Sequence, residues 1–236
     1  MRNVHPTHLP VKKRGYSIVI PAAGKGTRLS STIPKPLITI GGQTLFDRQV
    51  DYINRVFSKY EILLVGGFQF DKLKENITLS RRMKLLENEQ FEETNVVKSI
   101  GIGVENARYD NIVVLYGDLV FNAYMLKLPL DTDSLVITAR TMGKEEVGCT
   151  VANKRVTQLF YGLDTKWAQI AYFTGKEQES FREFCTDERN SKSFGFEAIN
   201  YVINQGGFMK HYSPNRGKVI DIDSPKDLKT VGSILR

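Results

Sequence analysis

Acidic residues are missing from the first 46 positions, where seven cations stand: Arg2, Lys12, Lys13, Arg14, Lys25, Arg28 and Lys35. The whole chain has 33 basic and 26 acidic residues, a formal charge of +7, so the excess is confined to that segment and the remainder is neutral. A positive field localised in this way attracts a polyphosphate or a nucleic-acid backbone. Cysteine is scarce: Cys149 and Cys185 stand alone, with no CxxC spacing, which excludes a disulfide scaffold and predicts buried, reduced thiols. His5, His8 and His211 are too scattered to build a zinc site, and His211 is expected to be structural. No apolar run approaches the roughly 18 residues that cross a bilayer. None follows the amino-terminal cations at the length of a secretory signal, about 7–15 residues. These absences predict a soluble, cytoplasmic protein without a membrane partner.

What is present is ordinary globular composition, 41% hydrophobic and 25% charged over 236 residues. Residues 1–15 are polar, basic and contain Pro6 and Pro10; they read as a flexible arm ahead of a single domain at 16–236. Ser17–Ile20 is a β-branched run ending at Pro21 and a Gly-containing loop, and Leu45–Phe57 carries a helical apolar stripe. The unit recurs as strand Glu61–Val65 with helix Asp71–Asn76, then strand Met83–Leu86 with helix Asn95–Asn106, then strand Asn111–Tyr116. Repeated β-then-α units predict an α/β, Rossmann-like three-layer sandwich around a mostly parallel mixed sheet. From residue 134 the pattern changes to short strands, Ser134–Arg140, Gly148–Val151, Val156–Tyr161 and Gln169–Phe173, expected as antiparallel additions. Helices near Lys176–Cys185 and Phe194–Asn204 follow, then strand Lys218–Ile222. Ser224 as N-cap and Pro225 at the first helical position open a last helix over Lys226–Leu235. Residues 16–130 and 131–236 are expected to form two functional halves.

The first βα connection, Pro21-Ala22-Ala23-Gly24-Lys25-Gly26-Thr27-Arg28-Leu29, leads to Pro34-Lys35-Pro36-Leu37. Small residues let backbone N–H groups approach an anion, and the carboxyl end of a parallel strand is where open sheets bind ligands. Two familiar phosphate loops fail: a dinucleotide GxGxxG needs glycine where Leu29 stands, and a Walker loop needs Ser or Thr where Gly26 stands. Carboxylates add a second signal. Asp118 follows an apolar strand and Gly117, an unfavourable place for a charge that nothing meets. Asp221 and Asp223 are two apart on a strand and so share a face. Together the three suit one Mg²⁺, held by carboxylates with positions left for phosphate oxygens; a helix-capping role is the alternative for Asp223.

Gly24-Lys25-Gly26-Thr27-Arg28-Leu29 and Pro34-Lys35-Pro36-Leu37 resemble the signature of the nucleotidyltransferase superfamily, which includes sugar-1-phosphate nucleotidylyltransferases and bacterial-type choline-phosphate cytidylyltransferases. The resemblance continues at Gly41-Gly42-Gln43-Thr44-Leu45, Thr94–Ile100, Tyr116–Phe121 and Val219–Pro225; residues 135–215 match in outline only. It implies that a phosphate monoester attacks the α-phosphorus of a nucleoside triphosphate and releases pyrophosphate. By resemblance Arg28 grips the β- and γ-phosphates, and Lys35 reaches the α-phosphate and the acceptor. Asp118 with Asp223, and Asp221 as a third candidate, hold Mg²⁺. Ala22, Ala23, Gly24, Lys25, Gly26 and Thr27 line the nucleotide, with Lys25 either on phosphate or facing solvent. The Asn95-to-Ser99 arrangement resembles the cytidylyltransferase type and favours CTP, the alternative being a helix cap with Ser99 bonded to backbone.

The acceptor is less defined. Trp167, Tyr172 and the aromatic run Phe194–Tyr201 suit either a cage for a quaternary ammonium or a core, and Glu197 is a candidate polar contact. Rival readings are a glycosyltransferase using Asp221-Ile222-Asp223 as a DxD motif, and a non-catalytic nucleotide- or nucleic-acid-binding protein using the basic arm. Arg28 and Lys35, suited to a triphosphate, and the motif's late position weigh against the first; the second predicts strongly salt-dependent polynucleotide binding carried by Arg2 to Arg14.

Overall fold

The opening strand, β1 (Tyr16–Pro21), is buried along both faces, which a strand tolerates only between two helical layers. The computed structural model describes residues 14–29, 32–130, 133–139 and 146–234. Residues 1–13 of the expected arm, the Arg140 end of one predicted strand and the Leu235 end of the last predicted helix lie outside the described residues.

After β1 come a small hairpin, β2 (Thr39–Ile40) and β3 (Gln43–Thr44), then α1 (Leu45–Val56), β4 (Tyr60–Gly66), α2 (Phe70–Asn76), β5 (Met83–Glu87), α3 (Val96–Glu105) and β6 (Asn111–Leu115). The second half supplies β7 (Leu119–Phe121), β8 (Ser134–Ala139), β9 (Val147–Ala152), β10 (Arg155–Tyr161) and β11 (Thr165–Phe173). It continues with α4 (Gly175–Thr186), α5 (Gly195–Asn204), β12 (Met209–Tyr212), β13 (Val219–Asp221) and α6 (Pro225–Ile234).

Nine strands form one sheet in the order β5-β4-β1-β6-β11-β8-β12-β10-β9. β5, β4, β1 and β6 are mutually parallel, as the βα units predict, and β11 then runs antiparallel to both β6 and β8. The second half is not wholly antiparallel, because β12 lies parallel to β8. β11 also starts four residues before the predicted Gln169, since Lys166 and a break in alternation hide it from the sequence pattern. Gln169 takes φ 56° and the β11–β8 register slips between Trp167 and Ala171, a bulge that re-aims Trp167.

Alternation along the strands builds two cores. Ile18 and Ile20 pack with Phe46 and Ile53 of α1 on one face. Val19 packs on the other with Val97 and Ile100 of α3, Phe181 of α4 and Ile199 of α5. Each such fully buried aliphatic or aromatic side chain contributes about 1.5–3 kcal/mol, and together they fix the three layers. α1 begins where Thr44 accepts a hydrogen bond from the Asp47 N–H. Outside the main sheet, β13 pairs antiparallel with β7, setting Asp221 opposite Leu119. The Ile222 N–H then donates to the Asp118 carbonyl at 2.9 Å. That small ladder carries the late Asp-Ile-Asp segment to the carboxyl end of β6.

Candidate active site

A cavity of about 230 Å³ opens beyond the carboxyl ends of the parallel strands, against the loop that follows β1. The loop is stitched to its neighbours: the Ala22 N–H donates to the Val65 carbonyl at 2.8 Å, and the Gly117 N–H donates to the Pro21 carbonyl at 3.1 Å. Ala22, Ala23, Gly24 and Gly26 line the cavity, as do Asn95 and Ser99 from the start of α3. Lys25 turns outward, to Glu92 at 2.7 Å and over the Phe91 ring, so it straps the loop to the opposite wall. Thr27 is exposed in the 3-10 turn Thr27–Leu29. Arg28 occupies the middle of that turn, and its side chain lies outside what the structure describes. Asn95 caps α3, its Oδ1 accepting from the Val96 N–H at 2.8 Å, while still facing the cavity.

Lys35 stands at the head of a second 3-10 turn, Lys35–Leu37, preceded by Pro34 and followed by buried Pro36. Its stem lies on Gly26, where φ is +59° and an added Cβ would fall 3.1 Å from Lys35 Cε. Its Nζ donates to Asp118 Oδ2 at 2.8 Å and to Asp223 Oδ1 at 2.6 Å. Burial works against the ammonium, but the two carboxylates outweigh it and hold Lys35 above the ordinary lysine range. Asp118 feels burial most strongly, and its carboxyl is held above the usual range despite the Lys35 charge. Asp118 Oδ1 is buried and has no hydrogen-bond partner among the described residues. A buried, unsatisfied carboxylate oxygen beside a second carboxylate fits a hard divalent cation with oxygen ligands. At the head of α6, Asp227 accepts from the Ser224 N–H at 2.6 Å and from the Ser224 hydroxyl at 2.8 Å.

A second cavity, of about 550 Å³, adjoins the first across Asn95, Val96 and Tyr116, and Asp221 and Asp223 both line it. The two carboxylates part company there. Asp221 Oδ1 accepts from Lys166 at 3.2 Å, and Lys166 also pairs with Glu146. Among the described residues no three of His, Cys, Asp and Glu gather as a metal-holding group. Lys35 thus joins Asp118 to Asp223, while Asp221 turns to Lys166. Trp167 lines this second cavity, edge-on to Tyr116 with ring centroids 5.6 Å apart. Glu197 is exposed and does not line it; its carboxylate accepts from the Phe194 N–H at 2.6 Å and caps α5. Tyr172 is fully buried in the core, and its hydroxyl donates to Asn111 Oδ1.

The sequence pattern does not single out Asn88, Tyr116 as a dividing wall, or the Lys166–Glu146–Asp221 cluster. Asn88 carried one usable signal, its place immediately beyond a parallel strand. Lys166 and Glu146 carried none, since the bulge in β11 and a loop outside any periodicity bring them together.

A family described as MobA-like NTP transferase domain matches residues 18–180. The bifunctional protein GlmU of Buchnera aphidicola subsp. Schizaphis graminum is 31% identical over 109 residues, 46% of this chain and 23% of that protein. The chain thus spans less than a quarter of that curated relative. Among solved structures, the CTP:phosphocholine cytidylyltransferase of Streptococcus pneumoniae superimposes with a TM-score of 0.73 at 18% identity, over 94% of this chain and 99% of that one. The inositol-1-phosphate CTP transferase of T. maritima gives 0.71 at 16% identity, over 94% and 96%. These two likenesses are of fold. The family match covers the opening loop, Lys35 and Asp118, and with it the chain belongs to the MobA-like NTP transferases, a family of nucleotidyltransferases.

Proposed function

We propose that the protein is a Mg²⁺-dependent nucleotidyltransferase that joins an NTP, with CTP favoured, to a small phosphate monoester and releases pyrophosphate. Residues 16–130 hold the nucleotide and 131–236 the acceptor within one domain. The observation that carries this reading is the position of Lys35, whose ammonium bridges Asp118 and Asp223 where the two cavities meet. An acceptor oxygen entering from the larger cavity meets the α-phosphorus at that junction. The bond from phosphorus to the bridging oxygen breaks, and the leaving pyrophosphate carries the released charge. Little covalent assistance is needed, so alignment and charge neutralisation dominate. Lys35 supplies a positive charge held protonated, on a stem seated against Gly26. Ala22, Ala23, Gly24 and Gly26 line the nucleotide cavity, and Arg28 has the guanidinium chemistry to grip the terminal phosphates. Asp118 and Asp223 would hold Mg²⁺, which when bound neutralises phosphate charge and aligns oxygens. Ser99, buried at the back of the smaller cavity, is placed to meet a base edge and supports the CTP preference.

The glycosyltransferase reading needs Asp221 and Asp223 on one ligand, and Asp221 is turned to Lys166 instead. The deciding measurement is pyrophosphate release from the four NTPs, each with phosphocholine, phosphoethanolamine, glycerol phosphate and several sugar 1-phosphates. Release with one pair, fastest with CTP and abolished by chelation, is expected. No release from any pair, with transfer from a nucleotide sugar instead, would overturn the proposal.

A further inference from the structure

Asn88 sits just past the end of β5, buried to 2% exposure at the wall of the smaller cavity. Its orientation is fixed locally, because the Gln90 N–H donates to Asn88 Oδ1 at 3.1 Å and so sets which end of the amide is oxygen. Both amide hydrogens are then spent on hydroxyls, one donated to Thr94 Oγ1 at 3.2 Å and one to Ser99 Oγ at 3.1 Å. Thr94 passes its own hydrogen to the Gln90 carbonyl at 2.7 Å, closing that branch of the network. Ser99 differs: its oxygen accepts from Asn88, while its hydrogen has no acceptor among the described residues. A hydroxyl whose oxygen already accepts from a fixed donor turns its hydrogen elsewhere, and Ser99 lines the nucleotide cavity.

We infer that Asn88 is a positioning residue that fixes Ser99 as a hydrogen-bond donor toward the nucleotide base, and that this polarity sets the base preference. The inference rests on the nucleotide reading of the smaller cavity. Cytosine and uracil carry opposite hydrogen-bonding groups at ring positions 3 and 4, acceptor then donor in cytosine, donor then acceptor in uracil. A serine locked as a donor suits the cytosine N3 acceptor and meets a clashing N–H in uracil. Discrimination comes from the buried polar group left unpaired by the wrong base.

Asn88→Asp tests this directly, because a carboxylate only accepts: Ser99 would donate to it and present its lone pairs to the base. The readout is the ratio of kcat/KM for CTP to that for UTP, or the ratio of inhibition constants where UTP is not turned over. The added charge affects both nucleotides alike and cancels in the ratio. The ratio is expected to fall by roughly tenfold, the contribution of one hydrogen bond and its unpaired counterpart. In a Ser99→Ala background the same Asn88→Asp change is expected to leave the ratio where Ser99→Ala alone puts it. An unchanged ratio, or an equal fall with and without Ser99, overturns the inference. Should Asn88→Asp not fold, Asn88→Ala carries the same paired comparison, since it releases the Ser99 hydroxyl to rotate. Failure of the wild type to use any NTP would count against the nucleotide reading itself, and is distinguished from a wild type that turns over with a ratio indifferent to Asn88.

Discussion

Lys35 is the counter-ion of two carboxylates that would otherwise face each other in a half-buried cleft. Like charges gathered in such a cleft repel, so the bridge stabilises the cleft as well as charging it. Lys35→Met is therefore expected to lower the melting temperature, to cut pyrophosphate release by at least roughly 100-fold, and to bind Mn²⁺ alone more tightly than wild type. Calorimetric Mn²⁺ titration checks the last point, and equal or weaker affinity in the variant would contradict the assignment of Asp118 and Asp223 as cation ligands. The residue types here were readable before the structure: a lysine between prolines, a lone aspartate after an apolar strand, an aspartate near a helix start. Their partners were not, because hydrogen bonds spanning 83 and 188 positions leave no local trace.

Elements decide how those residues meet. The parallel half was legible because β1, β4 and β6 are short apolar runs closed by proline or glycine, and α1 is a periodic stripe. β7, β12 and the start of β11 were not, being brief, half-polar or interrupted by a bulge. α5 shows the same limit at closer range. Glu197 looked available to a ligand, but a carboxylate at the third position of a helix finds the N–H of its cap first. At the head of that helix, a Cβ on Gly195 would meet the Tyr116 hydroxyl at 2.1 Å. Gly195→Ala is expected to cost about 1–3 kcal/mol by overpacking and to raise KM for the acceptor more than for the nucleotide. Tyr116→Phe in the same chain should restore part of the loss, read by thermal melting. On β12, His211 shares a 2.8 Å hydrogen bond with Thr138 of β8, and burial lowers its pKa below 6.5. The unfolded chain then takes up that proton more readily than the folded one, so stability falls as pH drops below about 6.5. Urea midpoints at pH 7.5 and 5.5 should differ more in wild type than in His211→Gln, and identical differences would remove His211 from the account.

At the scale of the whole molecule, the formal charge of +7 separates along the sequence into Lys25, Arg28 and Lys35 after β1 and a cluster ahead of Gly15. Deleting residues 1–13 is expected to leave kcat/KM unchanged, because the described site draws on nothing before β1. A salt-sensitive loss of polynucleotide affinity on the same deletion would instead assign those cations to nucleic acid. The Lys35–Asp223 bridge also has a bearing on biosynthesis. Its two members are separated by 188 positions, so a nascent polypeptide can pair β1 with β4 and β6 long before its second aspartate leaves the ribosome. Until that residue emerges, the lysine has Asp118 alone, and the bridge is completed only by a segment made well after the parallel strands.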